Sequence, residues 1–117
     1  MTLTVILPIK TISEANRSRE EHWGTRTKRK NSQKGIVKFG LYNRRVAIRG
    51  HEAYTVTLTR IAPRVLDGDN LQRSFKAVRD QVAEEIGIDD GSNRIAWFYA
   101  QEKGKPKEYA VRIEIKT

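Results

Sequence analysis

Asn70-Leu71-Gln72-Arg73-Ser74-Phe75-Lys76-Ala77-Val78-Arg79-Asp80-Gln81-Val82-Ala83-Glu84-Glu85-Ile86 is the stretch whose pattern decides the fold. Leu71, Phe75, Val78, Val82 and Ile86 recur three or four residues apart, so they line one face of a helix over 70–86. Gly87 follows as its C-terminal cap. One apolar face needs a surface to cover, and the flanking segments supply it. Over 54–61, Tyr54, Val56, Leu58 and Arg60 share one side, and Thr55, Thr57 and Thr59 the other. Ile95, Trp97 and Tyr99 alternate over 94–101, as do Tyr109, Val111, Ile113 and Ile115 over 109–115. Residues 2–9 are β-branched and apolar and run into Pro8, which predicts a first strand. Gly104-Lys105-Pro106-Lys107 reads as a turn, so the last two strands are expected to form a hairpin.

The remaining segment, 13–41, is polar, basic and weakly periodic. Ser13 suits an N-cap, and Gly24, Asn31 and Gly35 interrupt the pattern. Trp23, Ile36, Phe39 and Leu41 are its sparse apolar anchors. One or two helical stretches are expected here, with a mobile part around 25–33 in a basic region spanning about 17–49. The whole chain then reads as a single α+β domain over 1–117, a mixed sheet of about four strands with two helices packed on it.

Composition narrows the chemistry. The 117 residues are near the modal size of one domain. There is no cysteine, which excludes disulfides, thiolate catalysis and Cys-type zinc sites, and His22 and His51 are the only histidines. No apolar run approaches the ~20 residues of a membrane span, and the N-terminus lacks the basic region of a signal peptide. A cytoplasmic protein is therefore expected. The formal charge is +9. All of that surplus lies in residues 1–50, which hold twelve Lys/Arg against three Glu, whereas 51–117 are balanced. A basic half beside a neutral, acid-containing half suits a polyanionic partner. Arg26, Lys28, Arg29, Lys30, Lys34 and Lys38 are the candidate phosphate contacts. The run Lys28-Arg29-Lys30 equally suits a solvated loop.

Against this positive background, Asp67-Gly68-Asp69-Asn70 opens the helix and Asp89-Asp90 follows it. Carboxylates gathered in a basic protein suit a hard divalent cation. On a helical wheel Arg73, Lys76 and Asp80 fall within about 40° of Asp69, opposite the apolar stripe. Carboxylates to hold a metal and a cation beside them are what hydrolysis of a phosphodiester requires, and a helix N-terminus attracts phosphate. The same residues also suit cap and turn chemistry, with Gly68 as a plain turn glycine. A calcium loop is excluded, because Gln72 stands at its glycine position and no glutamate at its twelfth.

The run Asp67-Gly68-Asp69-Asn70-Leu71-Gln72, a helix of four to five turns, and then Ile88-Asp89-Asp90 resembles the RusA-like Holliday-junction resolvases. That family carries Asp-x-Asp-Asn-Leu, a helix, and an Asp-Asp pair before a strand. The likeness covers about a third of the chain. It implies a small homodimeric endodeoxyribonuclease that cuts four-way and other branched DNA with Mg²⁺ or Mn²⁺. Asp67, Asp69 and Asp90 would bind the metal, with Asp89 an alternative to Asp90. The family's lysine, three residues after the Asn, is Arg73 here, and a lysine comes a turn later at Lys76. Both are candidates for the catalytic cation, and the compact ammonium of Lys76 favours it narrowly.

Two aromatic features stand apart from the acidic motif. Trp97-Phe98-Tyr99 suits either base stacking or, for Trp97 and Tyr99, the sheet core. Trp23 beside His22 reads as a local packing anchor.

Overall fold

The computed structural model describes residues 1–12 and 23–117, and of Trp23 only the backbone. The proposed Ser13 cap, Arg17, Arg19 and His22 lie outside the described residues. Four strands form one mixed sheet: β1 (Thr2–Leu7), β2 (Tyr54–Ala62), β3 (Ile95–Lys103) and β4 (Ala110–Lys116). The helices are α1 (Trp23–Leu41), α2 (Arg45–Ile48), α3 (Gly68–Ser74) and α4 (Lys76–Ile86), with a 3₁₀ turn at Tyr42–Arg44 between α1 and α2. The architecture is α+β, as the pattern of strands and helices implies.

Alternation in each strand sends one side chain in two to the core. Tyr54, Val56, Leu58 and Ala62 of β2, Ile95 of β3, and Val111, Ile113 and Ile115 of β4 are buried together with Phe75, Val78, Val82 and Ile86. The intervening residues of β3, Ala96, Phe98 and Ala100, are exposed. The helices therefore cover one face of the sheet and leave the other to solvent at this edge.

The strand order is β1-β4-β2-β3. β3 runs parallel to β2, so the helical segment between them is a β-α-β crossover, and β4 runs antiparallel to both β2 and β1. This corrects the expected terminal hairpin. β2 lies between β3 and β4, and residues 104–109 pass over its end, where Gly104 N donates to the Ala62 carbonyl at 2.7 Å. A chain that steps over one strand must cross two strand spacings, about 10 Å, and six residues manage this where a two-residue turn does not. Alternation fixes which side of a strand is buried but carries no information about its neighbours.

α1 is the second correction. Residues 25–33 are helical throughout, inside one continuous helix of 19 residues. Packing overrides the weak local signal: Gln33, Val37 and Leu41 are buried on the inner side of α1, and Gln33 Nε2 donates to the Lys10 carbonyl at 3.1 Å. A Cβ on Gly40 would come within 2.6 Å of Leu7, so glycine there permits α1 to close on β1. Phe39, expected to anchor this segment, is instead exposed.

The helix expected over 70–86 begins two residues earlier and is broken at Phe75, whose ψ is 1°. Its apolar stripe continues across the break, and Phe75 is fully buried and stacked on Tyr99 with 5.8 Å between centroids. Gly87 adopts φ 85°, and its N–H and that of Ile88 return to the Ala83 carbonyl. This is the left-handed helix end that glycine tolerates best.

Candidate metal and nucleic-acid site

The acidic loop is held from both sides. Before it, the side chain of Gln101 on β3 accepts from Leu66 N at 2.9 Å and donates to Leu66 O at 2.7 Å, imitating one rung of a ladder. After it, Asp67 caps α3: Oδ1 accepts from Asn70 N at 3.0 Å and Oδ2 from Asn70 Nδ2 at 3.2 Å. The loop between β2 and α3 is thus fixed at the end of the sheet where β2 and β3 terminate. Asp67, Gly68, Asp69, Asn70 and Arg73 line one open cavity of about 370 Å³. Asp67 and Asp69 are exposed, so both carboxylates reach solvent.

Asp90 is not among the residues that line this cavity and is engaged by Arg79. Arg79 Nε donates to Asp90 Oδ2 at 3.2 Å and Nη2 to the Asp90 carbonyl at 2.9 Å, while Nη1 donates to Tyr99 Oη at 2.6 Å. Trp97 Nε1 also donates to the Asp90 carbonyl, at 2.9 Å, and its ring lies under the Arg79 guanidinium at 4.7 Å. The structure brings Asp67 and Asp69 together and sets Asp90 against Arg79. Among the described residues, no three His, Cys, Asp or Glu side chains are grouped to hold a metal ion. Asp89 is exposed at the turn before β3, its carbonyl accepting from Ser92 N at 3.0 Å. Of the two candidate cations, Arg73 lines the cavity with the aspartates, whereas Lys76 is exposed beyond the Phe75 break.

Two pairs of aspartates and oxygen-rich turns leave a plain donor test for Mg²⁺. Mg²⁺ is commonly held by one or two carboxylates and completes its shell with water and substrate phosphate. Asp67 and Asp69, exposed in one cavity with the Asn70 amide, fit that requirement as a pair.

Three positioning residues were not singled out by the sequence pattern. Gln101 sits on the core-facing side of β3 with Trp97 and Tyr99, where a polar side chain needs a partner, and that position was its one signal. Arg79 lies outside the charged stripe of Arg73, Lys76 and Asp80, and its partners lie 11 and 20 residues away. Glu85 is fully buried. The Arg45 fork pairs with both its carboxylate oxygens, and Gln81 Nε2 donates to Oε1 at 3.2 Å. The hydrogen bond of Arg45 to Glu85 raises the Arg45 pKa above its ordinary value. Arg49 completes the joint by donating to the carbonyls of Glu85 and Glu84 at the C-terminal end of α4.

The basic candidates all lie on α1. Successive residues turn by 100° on a helix, so Lys28, Arg29 and Lys30 diverge rather than form a flat track. Lys28 and Lys38 are exposed, and Arg26, Arg29, Lys30 and Lys34 are half-buried. Arg29 lines a second cavity, of about 440 Å³, with Lys10, Gln33 and the apolar Pro8, Ile9 and Ile36. No helix among the described residues is long and apolar enough to cross a membrane. Compared with known proteins, the chain matches no family model and no curated protein.

Proposed function

We propose that the chain is a metal-dependent endodeoxyribonuclease of RusA-like type, acting on branched DNA as a homodimer. The observation that carries this reading is the cavity lined by Asp67, Asp69, Asn70 and Arg73, an acidic recess in a chain whose other half holds the whole positive surplus. Asp67 and Asp69 would hold Mg²⁺ or Mn²⁺. When bound, the ion supplies a Lewis acid for the scissile phosphate and a more acidic water. Arg73 offers a planar fork for a phosphate oxygen on the same cavity wall. Gln101 and the Asp67 cap keep the loop in one conformation, so the carboxylates need little reordering to bind. The cations of α1 neutralise flanking phosphates.

A second reading is a DNA-binding protein without catalysis. It is favoured by the engagement of Asp67 in capping α3 and of Asp90 with Arg79. A labelled synthetic four-way junction, incubated with the protein in Mg²⁺ and in EDTA, separates the two. The nuclease reading expects nicked strands in Mg²⁺ only. It also expects Asp69→Asn to abolish nicking while sparing junction binding, since the change deletes a metal ligand and a charge that repels phosphate. Binding without nicking in Mg²⁺ or Mn²⁺ leaves the second reading standing.

A further inference from the structure

The exposure of Phe39 is at odds with the burial of its helix. Val37 and Leu41 are fully buried, yet 87% of Phe39 is accessible to solvent. It turns outward on the side of α1 that carries Lys28, Gly35 and Lys38, all exposed. Just beyond α1, Tyr42 is 57% exposed. Gly35, Lys38, Phe39, Tyr42 and Asn43 line one open cavity of about 300 Å³. The Arg45 guanidinium lies over the Tyr42 ring at 5.1 Å, and Arg45 is itself fixed by buried Glu85. The orientation of that ring is therefore set by an ion pair anchored in the core.

Exposed aromatic surface beside a cavity marks a contact site, and charge decides what it contacts. Residues 23–49 contain nine Lys and Arg and no Asp or Glu. Packing this face on its counterpart in a second copy would set like charges against each other around only two rings. A polyanion has the complementary charge. A DNA strand with unstacked bases also offers flat π-faces, which a stacked duplex withholds, and bases stack on Phe and Tyr irrespective of sequence.

We propose that the Phe39–Tyr42 face of α1 is a stacking platform for unpaired DNA bases, with Lys38 and Lys28 holding the flanking phosphates. The proposal rests on the nucleic-acid reading above and deepens it: selectivity for branched or frayed DNA comes from α1, apart from the acidic cavity.

The test needs no metal. Binding of a labelled oligothymidylate and of a blunt duplex of equal length is followed by fluorescence anisotropy in EDTA. Phe39→Ala and Tyr42→Ala should each weaken single-strand binding roughly five- to a hundredfold and change duplex binding by less than about twofold. Phe39→Leu, which keeps apolar area without a π-face, should behave like Phe39→Ala, and Phe39→Trp should retain affinity. Unchanged thermal melting of Phe39→Ala, expected for an exposed side chain, excludes unfolding as the cause. Equal losses on both DNA forms, no loss on either, or full rescue by leucine would overturn the platform. So would sedimentation showing that Phe39→Ala converts a dimer to a monomer, because the face would then join two copies. Wild-type protein that binds neither DNA removes the nucleic-acid reading along with the platform, whereas binding indifferent to Phe39 removes the platform alone.

Discussion

Arg79 carries the largest set of directional contacts to the Asp90 loop. One guanidinium joins the Asp90 side chain, its carbonyl, the Tyr99 hydroxyl and the Trp97 ring. Arg79→Ala should lower stability by about 2 kcal/mol, because hydrogen bonds to charged groups and a half-buried cation–π contact are lost together. Arg79→Lys should restore little, since an ammonium cannot span the same fork. Urea denaturation measures this, and a loss below about 0.5 kcal/mol would place Arg79 among ordinary surface residues. In the acidic cavity, Arg73 and Lys76 are separated by the break at Phe75. Arg73→Ala should reduce Mg²⁺-dependent junction cleavage at saturating DNA, and Lys76→Ala should change it much less. Single-turnover rates decide, and the reverse order would return the cationic role to Lys76. The motif Asp67-Gly68-Asp69-Asn70 was legible because cap chemistry depends on adjacent residues. The Arg79–Asp90 contact was not, because it is made only when the turn before β3 folds back on α4.

Among the elements, the α3–α4 segment was the most legible and α1 the least. The stripe Leu71, Phe75, Val78, Val82 and Ile86 names its own partner surface, and every one of these side chains is buried. α1 buries Gln33, Val37 and Leu41 but half-buries Arg26, Arg29 and Lys30 along the same side. Its inner face therefore has little apolar contrast with its outer one, and a periodicity reading sees a broken, mobile stretch. Much of the attachment of α2 to α4 is polar. Arg45→Ala removes the cation that pairs with the buried Glu85 carboxylate, which should destabilise the fold. Glu85→Gln, which keeps a hydrogen-bonding side chain of the same size, should cost less. Thermal or urea unfolding of the two variants gives the comparison, and equal, negligible losses would show that α2 does not depend on this pair.

On the scale of the whole molecule, the uneven charge would set how the proposed DNA binding responds to salt. If about five phosphates are neutralised, log K against log[salt] should have a slope near −4 to −5. Lys28 and Lys38 are both exposed on α1, so neutralising both should flatten the slope by up to about two. Changing Arg29 and Lys30, which are half-buried, should flatten it less. An unchanged slope in the Lys28/Lys38 double variant would move the phosphate contacts off this helix. The order of strands has a consequence of a different kind. β4 is the last of the described strands in sequence, yet it lies inside the sheet, pairing with β1 on one side and β2 on the other. Among the described strands, β1 pairs with β4 alone. On a ribosome β1 therefore waits for the strand it pairs with until β4 has been synthesised. Pairing β1 with β4 closes a long loop in one late step, so the crossover unit of β2, α3, α4 and β3 can organise early while the sheet is completed last.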